Sequence, residues 1–412
     1  MSALANLIFE LEQYKKIVIF GYGVEGKSFD AFAKRYLRES EITIVDKGDS
    51  KDESYLKGLD DAELIIKSPG ISLYNLGIDN NAYNFTSITE LFLRYFGQQT
   101  IGVTGTKGKS TLVTLIHSLL KNAQRKTLLC GNIGVPAFDI LEEITPETTV
   151  VMELSSHQLM DCNYSPHFAI LTNLFEEHLD YYRDVAEYYQ AKYNIFLHQK
   201  EGDVFIYNLP NNLEHEGINV HAKALKIKPD FDIKRGFIHE ASLQILEEVA
   251  EILDIDEGAY EKTLGEFKTL PHRLEFVAEI DGVVYINDSI ATIPEATIEA
   301  IKILKSVDTL IVGGNDRGIS YDAFVEYLTQ SGVKNIICFS DTGKQIHDKF
   351  KNSNSSQKIF YFQELREGVE KAHAVAQKIV LFSPAASSFN VYKNFMERGE
   401  SFKRFVKSLQ QS

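Results

Sequence analysis

A lysine and two hydroxyl residues follow a glycine-rich turn in the segment Gly105-Thr106-Lys107-Gly108-Lys109-Ser110-Thr111. The backbone N–H groups of such a turn, together with the positive end of the helix that follows, can bind phosphate oxygens. Lys109 can reach the terminal phosphates of a nucleotide, and the hydroxyl of Ser110 or Thr111 can ligate Mg²⁺. We therefore predict a site for a nucleoside triphosphate formed by all seven residues from Gly105 to Thr111.

The spacing of this segment differs from the usual eight-residue loop, because Val103 stands where the first glycine is expected. The contracted pattern Gly-x-x-Gly-Lys-Ser still lies between a β-branched run and a helical stretch. An acid, Glu153, ends the apolar run 148–152 further along. In phosphate-binding folds an acid at the end of a buried strand is a common Mg²⁺ ligand, so Glu153 is a candidate metal ligand.

A second glycine motif, Gly21-Tyr22-Gly23-Val24-Glu25-Gly26, follows the apolar run 16–20. A helical stretch and a second apolar run, which ends at Asp46, come next. This order is typical of dinucleotide-binding units, but it also fits another nucleotide or a glycine turn without a ligand. A third run ends at Lys67-Ser68-Pro69-Gly70, and its loop is expected at the same edge of the sheet.

Strands and helices alternate along most of the chain, which predicts an α/β fold with mainly parallel sheets. We expect three domains: a Rossmann-like domain over 1–97, a central P-loop domain over 98–270, and a doubly wound α/β domain over 271–412. In the last domain, turn residues such as Asn287-Asp288-Ser289 and Ser383-Pro384 follow the predicted strands.

The net charge of −15 argues against non-specific binding of nucleic acid or of anionic membranes. Residues 1–16 lack the apolar core of a secretory signal, and no apolar run is long enough to cross a membrane. The three cysteines are widely spaced, as in proteins of a reducing compartment. We expect a cytoplasmic monomer without stable membrane insertion.

The order and spacing of these motifs resemble those of the Mur ligases over nearly the whole chain. Within that family the resemblance is greatest to the ligases that add glutamate to UDP-N-acetylmuramoyl-L-alanine. The motifs that carry it, besides the two glycine segments, are Ser68-Pro69-Gly70-Ile71, Gly131-Asn132-Ile133-Gly134, Glu153-Leu154-Ser155-Ser156, His178-Leu179-Asp180, Lys192, Pro271-His272-Arg273, Asn287-Asp288-Ser289, Gly313-Gly314 and Arg398-Gly399.

The resemblance implies a reaction and its partners. ATP phosphorylates the carboxylate of the UDP-sugar substrate, and the amino group of glutamate then displaces the phosphate. ATP and Mg²⁺ are the implied cofactors, and UDP-N-acetylmuramoyl-L-alanine and glutamate are the implied partners.

The resemblance also implies roles for individual residues. The catalytic residues would be Lys109, Lys192, His178 and Glu153. The metal ligands would be Ser110, Glu153, His178 and Lys192, the last as a carbamate. ATP would also contact Asn132, Arg273 and Asp288. The UDP substrate would contact Gly23, Asp46, Ser68, Gly70, Asn132 and His178. The incoming amino acid would contact Thr292, Arg317, Ser388 and Phe395.

Two positions depart from the pattern of D-glutamate-adding enzymes, because Ile290 and Arg317 stand where lysine is usual. L-glutamate is therefore an alternative substrate. The segment 236–240 does not carry the family's usual adenine-contacting residues. Three further alternatives are a folylpolyglutamate-type or diamino-acid ligase, a nicotinamide-dependent dehydrogenase based on the first glycine motif, and a non-catalytic nucleotide-binding regulator.

Overall fold

The computed structural model describes residues 2–48, 53–175, 181–209, 223–226, 240–267, 271–351, 355–389 and 391–410. Two compact units divide these residues, the first ending at Glu266 and the second beginning at Phe267. The first unit contains two sheets and the second contains one. The fold is therefore of the expected α/β class.

The first sheet is parallel and has the strand order β2-β1-β3-β4. Its strands are β1 (Lys16–Phe20), β2 (Glu41–Val45), β3 (Leu64–Lys67) and β4 (Phe85–Thr86). The accompanying helices are α1 (Ala3–Leu11), α2 (Val24–Tyr36), α3 (Ile88–Phe96) and a 3₁₀ segment at Glu53–Leu59. All but the first residue of β1 are buried, as expected for a parallel strand that is covered on both faces.

The second sheet is also parallel, and its order is β10-β9-β8-β5-β7-β6. Its strands are β5 (Thr100–Thr104), β6 (Thr127–Gly131), β7 (Thr149–Glu153), β8 (Phe168–Leu171), β9 (Val204–Tyr207) and β10 (Lys223–Lys226). Its helices are α4 (Lys109–Asn122), α5 (Ser156–Leu159), α6 (Val185–Leu197), α7 (Glu240–Ile252) and α8 (Glu257–Glu266), with 3₁₀ segments at Gly97–Gln99 and Ala137–Glu143.

The first two sheets share one hydrophobic core, which explains why they form a single compact unit. Phe29 and Phe32 on α2 pack against Phe138, with ring centroids 5.8 and 5.0 Å apart. A direct hydrogen bond of 2.5 Å joins Ser28 to Asp139 beside this aromatic contact. Apolar burial of this kind contributes about 25 cal/mol per Å², so it dominates the attachment of the two sheets.

The third sheet has the order β11-β12-β16-β13-β14-β15, and β11 pairs antiparallel to β12. Its strands are β11 (Glu275–Ile280), β12 (Val283–Asn287), β13 (Val307–Gly313), β14 (Asn335–Phe339), β15 (Lys358–Phe362) and β16 (Ile379–Phe382). Its helices are α9 (Pro294–Leu304), α10 (Asp322–Gln330), α11 (Ser340–Lys351), α12 (Leu365–Val375) and α13 (Phe395–Leu409).

Each predicted domain range contains one of the three sheets, but the boundaries at residues 97 and 270 remain predictions. No helix of the described segments is long and apolar enough to span a membrane. The three cysteines are buried free thiols.

Five strands were absent from the sequence prediction: β4, β9, β10, β11 and β15. Edge strand β11 alternates between partly buried and exposed residues, so it lacks the continuous apolar run on which the prediction relied. An Asp281-Gly282 turn joins it to β12, and both residues have positive φ. Asp-Gly is a strong hairpin signal, so the turn could have revealed β11. Helix α4 begins at Lys109, with Gly108 as its N-cap.

Asp308, near the start of β13, holds the segment that leads into the neighbouring strand β16. Its buried carboxylate accepts the backbone N–H groups of Gln377, Lys378 and Ile379 at 2.9, 3.0 and 2.8 Å. We predict that Asp308→Ala lowers the free energy of unfolding by about 2–4 kcal/mol, because buried N–H groups lose their acceptor. Urea unfolding of the full chain measures this.

The control for this prediction is Glu326→Ala, which alters an exposed side chain on α10. It should change stability by less than about 0.5 kcal/mol. A loss in Asp308→Ala no larger than in the control would contradict the anchoring role.

Candidate active site

The glycine-rich loop between β5 and α4 has a backbone conformation that requires glycine. Gly105 has φ +144°, and a Cβ atom added there would lie 1.9 Å from Oγ1 of Thr172. Gly108, with φ +85°, caps α4. The loop therefore approaches β8 more closely than any side chain allows, and it leaves the first turn of α4 open at the carboxyl edge of the sheet.

Residues after β8 hold this loop in place. Asn173 accepts the backbone N–H of Lys107 at 2.8 Å and donates to the Lys107 carbonyl at 3.0 Å. The Thr172 hydroxyl donates to the same carbonyl at 2.8 Å, and Thr106 lies within 3.0 Å of the Tyr188 hydroxyl. These bonds hold the loop in one conformation, and such preorganisation would lower the entropic cost of binding a ligand there.

Two lysines converge on one carbonyl oxygen of the loop. Nζ of Lys109 donates to the Gly105 carbonyl at 2.7 Å and to the Thr106 carbonyl at 3.0 Å. Nζ of Lys192, on α6, donates to the Gly105 carbonyl at 2.9 Å. Lys192 is only 2 % exposed. It shares the Gly105 carbonyl with Lys109 although the two lysines are 83 residues apart in the sequence. A surface lysine would not occupy this position, so the structure places Lys192 beside the phosphate-binding loop.

Glu153 ends β7, the strand next to β5, and is 1 % exposed. Its Oε1 accepts the side-chain amide of Asn132 at 2.7 Å, and Asn132 also donates its backbone N–H to the Glu153 carbonyl at 2.9 Å. Its Oε2 is buried and has no hydrogen-bond partner in the described part of the chain. A buried carboxylate oxygen is costly unless it is paired or bound to a metal. These residues thus fit a magnesium ion, which prefers oxygen ligands.

The other predicted metal ligands are placed as follows. Ser110 and Thr111 lie in the first turn of α4, one and two residues after Lys109. His178 lies outside the described residues. Within the described ranges, no group of three His, Cys, Asp or Glu side chains is arranged to hold a metal. The fit to Mg²⁺ therefore rests on Glu153, one of whose carboxylate oxygens has no partner among the described residues while the other accepts from Asn132.

The glycine motif after β1 packs against the loop after β3. The Ser68 hydroxyl donates to the Gly21 carbonyl at 2.6 Å, so the two loops are joined. Gly23 is the exposed N-cap of α2, and Gly70 is exposed. Asp46 accepts the backbone N–H groups of Tyr22 at 2.5 Å and Gly48 at 2.9 Å, and these bonds lower the pKa of its carboxyl. The four predicted UDP-contacting residues of this domain thus lie on neighbouring loops.

Sequence reasoning missed two contacts that join this region to the second sheet. Gln158 donates to Oε1 of Glu25 at 2.7 Å while its own Oε1 accepts the backbone N–H of Ser155. The Tyr181 hydroxyl lies 2.9 and 2.8 Å from the carbonyls of Pro69 and Ile71. Burial raises the pKa of Glu25 to about 7. The position of Glu25 inside the glycine motif was the one sequence feature that could have pointed to the Gln158–Glu25 contact.

In the second unit, Asp288 follows β12 and is 5 % exposed. It accepts the Ser383 hydroxyl at 2.8 Å and the Leu274 N–H at 3.2 Å. Burial raises the pKa of Asp288 to about 7, while its hydrogen bonds and the nearby Arg273 charge oppose that rise. Arg273 is partly exposed and immediately precedes Leu274. Their contact with the nucleotide remains a prediction.

The predicted amino-acid-binding residues follow strands that are adjacent in the third sheet. Thr292 lies after β12, Arg317 after β13 and Ser388 after β16, while Phe395 begins α13. Ser388 is buried, Thr292 and Phe395 are partly buried, and Arg317 is exposed. The Ser289 hydroxyl donates to the Phe395 carbonyl at 2.8 Å. Parallel strands thereby bring three of the predicted loops to one edge, but this does not test their roles.

Comparison with known families gives two matches that together span more than half of the chain. The Mur ligase middle domain matches residues 103–263, and the Mur ligase glutamate ligase domain matches residues 272–386. Both matches include motifs named above, among them Lys109, Glu153 and Asp288.

Curated relatives align over almost the whole chain. A protein of Clostridium kluyveri named UDP-N-acetylmuramoylalanine–D-glutamate ligase is 32 % identical over 96 % of this chain and 97 % of its own length. Its namesake in Clostridium acetobutylicum is 33 % identical over 94 % of this chain and 92 % of its own length. A third protein of that name, from Ruminiclostridium cellulolyticum, is 31 % identical over 95 % of this chain and 93 % of its own length.

Solved structures show the same fold at low identity. The MurF ligase of Thermotoga maritima, in complex with ADP, has a TM-score of 0.58 at 18 % identity and covers 95 % of both chains. A MurF of Acinetobacter baumannii has a TM-score of 0.60 at 13 % identity, and the match covers 99 % of this chain and 98 % of the MurF chain. From its domain matches and full-length relatives, the chain belongs to the Mur ligase family of ATP-dependent ligases.

Proposed function

We propose that this chain joins D-glutamate to UDP-N-acetylmuramoyl-L-alanine, cleaving ATP to ADP and phosphate, in the synthesis of peptidoglycan precursors. The observation that supports it most is the buried, half-partnered carboxylate of Glu153 beside a preformed phosphate-binding loop. The substrate class comes from the relatives that align over almost the full chain, because they are named after this activity.

Activation of the acceptor explains the need for ATP. A carboxylate is a poor electrophile, so one of its oxygens first attacks the γ-phosphorus, and the bond from that phosphorus to the β–γ bridging oxygen breaks. The products are an acyl phosphate and ADP. The amino group of glutamate then forms the C–N bond, loses a proton, and phosphate leaves with its C–O bond electrons. Catalysis of such steps depends mainly on positioning and charge neutralisation.

The phosphates of ATP would be held by the N–H groups of the 105–108 loop, by Lys109 and by the first turn of α4. Magnesium would be held by Ser110, Glu153, His178 and carbamylated Lys192, with Asn132 orienting Glu153. When bound there, magnesium would neutralise charge on the phosphate oxygens. The Nζ of Lys192 lies 2.9 Å from the Gly105 carbonyl, which is close enough to the loop for a carbamate to support the metal.

The UDP end of the acceptor would bind along the loops after β1, β2 and β3, with the diphosphate at the N-terminus of α2. Gly23, Ser68 and Gly70 would approach it through backbone and hydroxyl groups. Asp46 already accepts two backbone N–H groups of these loops, so we propose that it shapes the site and also accepts from the nucleoside. Asn132 and His178 would contact the sugar end.

Glutamate would be bound by Thr292, Arg317, Ser388 and Phe395, with Arg317 facing a carboxylate. The departures at Ile290 and Arg317 make L-glutamate the second candidate substrate. A dehydrogenase would leave the 105–111 loop and Glu153 without a role. Contact of Arg273 and Asp288 with ATP, a monomeric state and a cytoplasmic location remain predictions.

A direct test of the activity is a ligation assay with UDP-N-acetylmuramoyl-L-alanine, ATP and magnesium. D-Glutamate and L-glutamate are supplied in parallel, and ADP and the coupled product are measured. We expect D-glutamate to give product at least about tenfold faster, since the two enantiomers present their carboxylates differently to one rigid site. Equal rates, or a preference for L-glutamate, would contradict the proposed stereochemistry. ADP release without either substrate would indicate an ATPase rather than a ligase.

Removal of the Lys109 ammonium group should abolish ligation while the chain stays folded. We expect Lys109→Ala to lower kcat by about 100-fold or more, because a charge that stabilises the transferring phosphate is lost. Lys121→Ala, at the exposed other end of α4, serves as the matched control and should retain activity. Normal turnover in Lys109→Ala, with an unchanged circular dichroism spectrum, would argue strongly against the proposed phosphate site.

The carbamate on Lys192 can be tested by chemical rescue. We expect Lys192→Ala to be inactive and to recover part of its activity when formate or acetate is added, because a small carboxylate can occupy the space of the missing carbamate. Lys200→Ala, an exposed neighbour beyond the end of α6, should need no rescue. Undiminished turnover of Lys192→Ala without added acid would refute the carbamate.

A further inference from the structure

Arg398 is a fully buried cation, and no described residue supplies a carboxylate as its counter-charge. It is 0 % exposed and lies in the first turn of α13. Burial lowers the pKa of its guanidinium to about 9, while the nearby Tyr392 acts in the opposite direction; no carboxylate among the described residues contributes. The group is therefore still charged at neutral pH. Buried charges in proteins are normally paired, so this one calls for an explanation.

The guanidinium joins two of the loops at the edge of the third sheet. Its Nε donates to the Ser289 hydroxyl at 3.1 Å, and Nη2 donates to the Ser289 carbonyl at 2.8 Å. Its Nη1 donates to the Ala386 carbonyl at 2.9 Å. Ser289 belongs to the loop after β12 and Ala386 to the loop after β16. All three acceptors are neutral oxygens, so these bonds position the loops without compensating the charge.

A third loop touches the same group. A Cβ atom added to Gly314 would lie 2.9 Å from Nη1 of Arg398 and 2.3 Å from the Ser387 carbonyl. The next residue, Asn315, donates its N–H to the Ser387 carbonyl at 2.8 Å. Arg398 thus lies where the loops after β12, β13 and β16 meet, and these strands are neighbours in the sheet.

The charge distribution around Arg398 favours an anion. The N-terminus of α13 carries the positive end of the helix dipole, so a second positive charge in its first turn is unfavourable by itself. The acid of that turn, Glu397, is exposed and accepts the backbone N–H of Lys393 at 2.6 Å. The loops joined by Arg398 carry Thr292, Arg317 and Ser388, and the helix begins at Phe395.

We propose that Arg398 is the positioning residue that makes this edge of the third sheet selective for an amino acid with a carboxylate side chain. Arg398 acts through its charge and by holding the 288–292 and 384–388 loops, and it does not touch the substrate. The proposal depends on the proposed ligase function. It also explains how the site keeps a cation although Ile290 stands where the family resemblance leads us to expect lysine.

The test compares glutamate with glutamine of the same configuration, because the two differ by the side-chain charge. We expect Arg398→Gln to lower the ratio of kcat/KM for glutamate to kcat/KM for glutamine by about tenfold or more, since the favourable charge interaction is lost. KM for ATP should change by less than about twofold. The matched control is Arg404→Gln, which alters an exposed arginine further along α13. It should leave kcat/KM for glutamate, kcat/KM for glutamine and KM for ATP unchanged.

Arg398→Lys provides a second variant in case the glutamine variant does not fold. It keeps the charge but cannot donate to both loops, so KM for glutamate should rise while discrimination against glutamine persists. A folded lysine variant with equal kcat/KM values for glutamate and glutamine would overturn the charge argument. The same holds if Arg398→Gln retains the wild-type ratio and only loses kcat and melting temperature. A wild-type chain that ligates neither amino acid would refute the proposed function and this inference together, whereas an unchanged ratio refutes this inference alone.

Discussion

In each of the two units, the candidate site depends on a buried ionisable group that the described residues leave without a full set of partners. Oε2 of Glu153 is buried without a hydrogen bond among the described residues, and Arg398 is buried without a counter-ion there. Each arrangement is costly in the free protein, since a buried charge needs compensation from an opposite charge or a metal. In the proposed function, a magnesium ion at Glu153 and the negative charge of the amino-acid substrate near Arg398 would offset that cost.

The candidate sites of the two units share one backbone arrangement. In each, parallel strands end at one edge of a sheet, and a glycine lets one loop approach another closely. Gly105 permits contact with Thr172 in the first unit, and Gly314 permits contact with Ser387 and Arg398 in the second. The close approach brings backbone and side-chain groups of separate loops together at that edge. A Cβ at either glycine would force the loops apart.

In the first unit, the loops proposed to bind the acceptor are connected to the loop proposed to bind phosphate. A shared apolar core joins the first two sheets, and the Gln158–Glu25 and Tyr181–Pro69 hydrogen bonds lie beside the functional loops. Ligation requires a carboxylate and a phosphate to meet within bonding distance, and rigid attachment of the two regions reduces the entropy lost at that encounter. The polar contacts contribute orientation, while the core contributes most of the stabilising free energy.

Sequence alone determined the α/β fold class, and it identified the 105–111 loop and Glu153 as candidate site residues, because these depend on local patterns: apolar runs, glycines, and polar residues at strand ends. It did not predict the edge strands β11 and β15, whose partial exposure removes the apolar run, nor β4, β9 and β10. Only the tertiary structure decided that Lys192 meets Lys109 at the Gly105 carbonyl and that Arg398 is buried with no carboxylate partner in the described part of the chain. Both facts arise from contacts between residues far apart in the chain, and burial of a charged side chain depends on what packs around it rather than on its neighbours in sequence.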